Sequence, residues 1–153
     1  MTGANCGLGL EAARHFVRLN AAKVILACRS VQKGELAKTD IERTTDRNGV
    51  VEVWQVNLAS FVSVREFCAR ARALERLDIV IENAGIAIGK FEQFEGYEST
   101  ITVNVISTFL MALMLLPKLR ESASKFNITP RLTIVSSDAH QMFVQIPLCL
   151  GLY

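Results

Sequence analysis

Near the start of the chain stands Thr2-Gly3-Ala4-Asn5-Cys6-Gly7-Leu8-Gly9, followed at once by the amphipathic stretch Glu11-Ala12-Ala13-Arg14-His15-Phe16-Val17. Glycines at a turn that enters a helix let the backbone approach a pyrophosphate, whose charge is then held by free N–H groups and by the positive helix end. A nucleotide is the expected ligand. On the three glycines alone, an ordinary glycine-rich loop is an equal alternative.

Downstream, apolar runs of strand length alternate with longer segments of helical period, the pattern of an α/β domain with a parallel sheet. Strands are expected at residues 23–28, 50–56, 77–82 and 131–136, each rich in Val, Ile or Leu, as strands covered on both faces are. Helices are expected at 10–19, 31–45, 61–74 and about 97–121, with loops at 2–9 and 83–89. Ser30 and Ser60 precede two of these helices as N-caps, and Arg47-Asn48-Gly49 supplies a turn. Pro117 predicts a kink or an early stop in the last helix.

The 153 residues suffice for one domain with a core, and 50% hydrophobic with 21% charged residues is a globular composition. The net charge of +2 is small and its basic residues are scattered, so neither nucleic acid nor a membrane surface is implied. Cys6, Cys28, Cys68 and Cys149 form no Cys-x-x-Cys pair, and no targeting segment opens the sequence, which together suggest a reduced, cytoplasmic protein. The longest apolar stretch, residues 101–116, falls short of the roughly 20 residues of a membrane helix. It also contains Asn104, Ser107 and Thr108, so a buried or subunit-facing helix is expected.

The spacing Thr-Gly-x-x-x-Gly-x-Gly resembles the signature of the short-chain dehydrogenase/reductase family, and other pieces of that family follow in order. Asn83-Ala84-Gly85 follows a buried strand, Asn104 lies within the next helix, and Ser136-Ser137 end the next strand. The matches continue in register to about His140. The resemblance implies a doubly wound parallel sheet of Rossmann type in residues 1–140, and an oxidoreductase that moves a hydride between a nicotinamide dinucleotide and a small-molecule carbonyl or secondary alcohol. It places the cofactor against Thr2, Gly3, Asn5, Gly7, Leu8, Gly9, Arg29, Ser30, Asn57, Leu58, Asn83, Ala84 and Gly85. It makes Asn104 and Ser137 catalytic.

The end of the first expected strand bears on which dinucleotide is bound. An acidic residue there would accept from the ribose hydroxyls of NAD, whereas this chain reads Cys28-Arg29-Ser30. The Arg29 fork suits a phosphate and Ser30 adds a hydroxyl, so NADP is expected over NAD. A solvated arginine at a strand end is the alternative. Asn57-Leu58 stands where the family usually has Asp-Leu, and a neutral acceptor there predicts weaker adenine binding.

In the family a tyrosine exchanges the substrate proton, and a lysine four residues later lowers the pKa of that phenol. The serine bonds the substrate oxygen and the asparagine supports a relay water. Tyr97 is followed at that spacing by Ile101, and Tyr153 is the last residue, so neither tyrosine takes the role and the chain is expected to be inactive. His140 titrates in the right range for a base, although a loop histidine is ordinarily solvated. The cysteines lack metal spacing.

Only Met1 precedes the glycine loop, where the family has a central strand. An empty slot would expose two strand edges, so an unstable chain is expected, or one that fills the gap with its own tail. That tail, residues 141–153, is apolar, uncharged and unlike the family's continuation, and the sequence therefore reads as truncated at both ends. A second class stays open: a non-catalytic nucleotide-binding or regulatory protein that pairs with an intact relative. The helix around residues 101–116 could serve that pairing or a homodimer, since the family commonly dimerises through its counterpart, or it could simply pack on the sheet.

Overall fold

The computed structural model describes residues 1–137. His140, the boundary at 140/141, the apolar tail and Tyr153 lie outside the described residues. Strand β1 (Val24–Cys28) pairs in parallel with β2 (Val51–Gln55), Val24 opposite Val51 and Cys28 opposite Gln55. Strand β3 (Ile79–Glu82) pairs in parallel with β6 (Arg131–Ile134), Glu82 opposite Ile134.

Between the two pairs Met1 to Gly3 run at the carboxyl ends only, with a single bridge of Thr2 to Ala27, and no described strand takes the central place, as expected. The Met1 amino group donates to Ile25 O and Ala27 N donates to Met1 O, both at 2.9 Å. Gly3 N donates to Ala27 O and Thr2 N to Ile81 O, again at 2.9 Å. Three residues thus join the pairs at their carboxyl ends, in the order β2, β1, Met1–Gly3, β3, β6. These four bonds give partners to backbone groups that would otherwise lack them. At the other end of β3, Ile79 stays 44% exposed.

Because successive strand side chains face opposite ways, the sheet builds two cores. On one face Leu26 and Val51 pack with Ala13 and Val17 of α1 (Gly7–Arg18) and Ala37 and Ile41 of α2 (Val31–Thr45). On the other, Ala27, Trp54 and Val80 pack with Val64 and Cys68 of α3 (Phe61–Arg72) and with the last helix. Fully buried Leu26, Ile41, Met111 and Leu115 contribute about 1.5–3 kcal/mol each.

The serine caps form as expected: Ser30 Oγ accepts from Lys33 N and Ser60 Oγ from Ser63 N. Helix α1 starts at Gly7, three residues earlier than its apolar period suggests, because its first turn packs through Gly9, which has no side chain to mark it. Tyr97, expected to be helical, sits instead in a small hairpin of β4 (Gln93–Phe94) and β5 (Tyr97–Glu98) turned by Glu95 and Gly96 at positive φ. Glu98 then accepts from Thr100 N and Ile101 N, and these backbone bonds hold its carboxyl down to about 2.

The last helix comprises α4 (Ser99–Ile101), a π-turn (Thr102–Ser107) and α5 (Thr108–Phe126). Pro117 does not end it: the Leu113 carbonyl that loses its N–H partner belongs to a residue 64% exposed, so water can serve it. The run from 99 to 126 is long and apolar enough to cross a membrane by length and composition, more than the sequence stretch suggested. Met111, Leu115 and Leu119 nonetheless bury themselves in the core.

Candidate dinucleotide-binding site

The glycine loop folds back on itself where β3 ends. Gly3 has φ +63°, and a Cβ on it would come within 2.9 Å of Ala84 Cα. A Cβ on Gly9 would lie 2.3 Å from the Gly3 carbonyl oxygen and 2.6 Å from Asn83 Nδ2. Neither gap admits a side chain. The first bond of α1 runs from Leu10 N to Cys6 O, and Cys6 gives no side-chain cap. The amides of Gly7, Leu8 and Gly9 therefore lack helical acceptors and sit at the positive end of the helix, whose first turn carries no acid. Leu8 is 84% exposed at the rim. Beside it a groove of about 360 Å³ is lined by Asn5, Cys6, Lys33 and Asp40, among others.

Thr2 and Asn83 spend their side chains on each other's backbone. Thr2 Oγ1 accepts from Asn83 N and Ala84 N at 3.0 Å, while Asn83 Nδ2 donates to Thr2 O at 3.2 Å and Gly3 O at 3.3 Å. Both residues were expected to contact a cofactor. What their geometry accomplishes is to fix the loop that leads into the free amides of the helix start.

Gly85 lets Asn104 approach, since a Cβ on it would be 3.3 Å from Asn104 Oδ1. From the π-turn, Asn104 Oδ1 accepts from Ile86 N and its Nδ2 donates to Ile86 O, each at 2.8 Å. Ser137 lies just past β6, and Val135 N donating to Glu82 O carries that segment alongside residues 83–85. Asn104 and Ser137 thus follow elements that converge on the carboxyl end of the sheet, where open α/β folds bind ligands.

At the outer end of this edge Arg29 is exposed and, among the described residues, has no ion-pair partner. Exposed Lys33 stands one helical turn beyond it. Ser30 Oγ, committed as an acceptor in the cap, keeps its hydroxyl proton to donate. Asn57 N donates to Ser63 Oγ at 2.9 Å, and Asn57 Oδ1 accepts from Ala59 N at 3.1 Å, leaving one lone pair on that oxygen. Leu58 is buried, and its carbonyl accepts from Ser107 Oγ at 2.5 Å.

Sequence reasoning passed over Ile86, Ser107 and Glu82. Ser107 and Thr108 did show as polar breaks in an apolar run, the signal that marks a buried polar role. Glu82 is 3% exposed, and neither carboxyl oxygen has a partner among the described residues. Burial pushes it up to about 7, against a smaller downward pull from the amino terminus. That amino group is itself pushed down to about 6 by burial. Burial, with Glu82 second, pushes the Cys68 thiol up to about 12, which makes it unreactive. No metal-holding group of His, Cys, Asp or Glu occurs among the described residues.

Free amides at a helix start, with exposed Arg29 and Lys33 farther along the same edge, suit a ligand that carries phosphate. Comparison with known proteins agrees in kind. The chain is 54% identical over 142 residues to a short chain dehydrogenase/reductase of Cryptosporiopsis sp. and 53% identical over 143 residues to a short chain dehydrogenase of Emericella nidulans. Those matches cover 92% of this chain and only 44% and 46% of the relatives, so the chain spans less than half of their length. Among solved structures, a short-chain dehydrogenase from Sphingobium yanoikuyae in complex with NADPH superposes with a TM-score of 0.76 at 24% identity, covering 91% of this chain and 53% of that one. A family model described as short chain dehydrogenase matches residues 1–144. With its Rossmann-like α/β fold and that match over nearly all of its length, the chain belongs to the short chain dehydrogenase family.

Proposed function

We propose that this chain is the cofactor-binding part of an oxidoreductase that transfers a hydride between NADP(H) and a small-molecule carbonyl or secondary alcohol. The observation that carries the reading is the helix start at Gly7, Leu8 and Gly9, whose amides have no helical acceptors and whose loop is fixed by the Thr2–Asn83 bonds. One solved relative was crystallised with NADPH and another, from Brucella melitensis, with NADH, so a nicotinamide dinucleotide is supported more broadly than its 2′-phosphate. Arg29, with Ser30 and Lys33 near it, favours the phosphorylated form.

When bound, the nicotinamide gives or takes the hydride. Of the chain's own groups, Ser137 offers a hydroxyl to the substrate oxygen. Asn104 commits its side chain to both backbone groups of Ile86 and so holds the loop after Gly85 beside the reacting end. No tyrosine here has a lysine four residues on, and a phenol near pKa 10 needs such a cation to work at neutral pH. The chain by itself is therefore proposed to bind the dinucleotide without turnover, in the cytoplasm, with its long helix packed on the sheet.

Ile101, Val105, Phe109 and Leu113 are exposed at four-residue spacing along that helix. This stripe supports pairing with a second copy or an intact relative. Phe109→Glu is expected to turn a sedimenting dimer into a monomer, and a parent chain that sediments as a monomer refutes self-pairing.

Calorimetric titration of the purified chain with NADPH and with NADH tests the main reading. Tighter binding of NADPH, with no turnover of carbonyl substrates, is expected. A chain folded by circular dichroism that binds neither dinucleotide ends the proposal.

A further inference from the structure

We propose that Ser107 is a positioning residue that couples the adenine end of the site to Asn104. It rests on the dinucleotide reading above, in which Asn57 and Leu58 flank the adenine.

Ser107 is the last residue of the π-turn and is fully buried. Its hydroxyl reaches 49 residues back along the sequence to donate to the carbonyl of Leu58 at 2.5 Å. Three residues before it, Asn104 grips both backbone groups of Ile86. Thr102 Oγ1 opens the same turn by donating to Phe94 O at 3.0 Å, and Thr108 Oγ1 closes it by donating to Val103 O at 3.1 Å. The hairpin bound by Thr102 returns to the adenine side, where Glu95 Oε1 accepts from Phe61 N at 2.8 Å. The π-turn is thus a small rigid body with one attachment to the 57–60 loop and another to the loop after Gly85.

A serine is needed at this place for a physical reason. Leu58 is buried, so its carbonyl needs a donor, and an alanine at 107 would leave that oxygen unpaired in the core. A hydrogen bond from a backbone-fixed hydroxyl also transmits displacement. If the 57–60 loop shifts when adenine enters, Leu58 O moves Ser107, and the turn carries Asn104 with it.

The probe is adenosine 2′-monophosphate, which can occupy the adenine and 2′-phosphate corner and has no diphosphate to engage the glycine loop. In uniformly ¹⁵N-labelled chain, its addition is expected to shift the Asn104 Nδ2 resonances as well as those of Leu58 and Ala59. In Ser107→Ala the nucleotide should bind within roughly fivefold of the parent, as the loss of one hydrogen bond implies. The Asn104 shift should disappear, and Ser107→Thr should restore it. Ser107→Cys keeps the size of the side chain with a much weaker donor and serves if the alanine variant does not fold. Shifts at Leu58 without one at Asn104 in the parent chain overturn the coupling, as does an Asn104 shift of undiminished size in the alanine or cysteine variant. A folded chain with no response to this nucleotide or to NADPH overturns the dinucleotide reading itself, and the coupling with it.

Discussion

The two ends of the candidate site are built on opposite plans. At the inner end, Thr2, Gly3, Gly9 and Asn83 are locked by contacts within the chain, and what is left to bind is backbone, the free amides of the helix start. At the outer end, Arg29 and Lys33 are exposed side chains that make no ion pair among the described residues. A backbone cradle reads a diphosphate by shape and cannot be retuned one residue at a time. A side-chain end reads an extra phosphate by charge and can be exchanged without disturbing the fold.

The largest effect is therefore expected from the smallest change at the inner end. Gly9→Ala places a Cβ where the Gly3 carbonyl and Asn83 Nδ2 already stand, so the loop must move off β3. Overpacking of that kind costs about 1–3 kcal/mol, and the displaced amides should lose NADPH binding entirely in calorimetry. If Gly9→Ala binds NADPH like the parent, the amide cradle is not the binding element and the contrast between the two ends fails.

Next in size comes the strand beneath the cradle. Glu82 precedes Asn83 and is buried with no hydrogen-bond partner among the described residues, its pKa raised in the fold from 4.5 to about 7. The folded chain thus holds this proton more tightly than the unfolded one. Its stabilising contribution is full below about pH 4.5 and is lost as pH rises through about 7, a change on the order of 3 kcal/mol. The amino terminus, lowered from 8.0 to about 6, works in the opposite direction between those values, so the variant must be read against the parent. Glu82→Gln should be the more stable of the two at pH 8, with the gap closing toward pH 5 in urea titrations. A gap that does not change with pH would mean that Glu82 is solvated and ionised throughout.

What could be read from sequence divides along the same line. The glycine loop, the serine caps at Ser30 and Ser60, and helix α2 were legible, because each is decided by residues within one or two turns of chain. The bond from Ser107 to Leu58, the mutual use of Thr2 and Asn83, and the isolation of Glu82 were not. They join segments dozens of residues apart, and nothing local distinguishes a serine that donates across the core from one that faces water. The hairpin around Tyr97 lay between. Its Glu95-Gly96 pair carried a turn signal that the helical pattern of the following apolar run concealed. The missing central strand was legible, but not that Met1 to Gly3 would still bond to both halves at the edge where the ligand site lies, because strand pairing needs backbone rather than side chains.

The smallest expected effect tests the outer end alone. The Arg29 side chain is exposed and makes no ion pair among the described residues, so Arg29→Asp should leave the thermal midpoint within a degree or two of the parent, as surface substitutions generally do. A carboxylate in its place would repel a 2′-phosphate and accept from ribose hydroxyls. NADPH affinity should then fall by roughly ten- to a hundredfold, the worth of one charge-assisted contact and the repulsion that replaces it. NADH affinity should hold or rise slightly. Competitive titration of the two dinucleotides reads this as a single ratio. If that ratio is unchanged while both still bind, Arg29 is a solvated arginine, and selection between the cofactors must rest on Ser30 and Lys33.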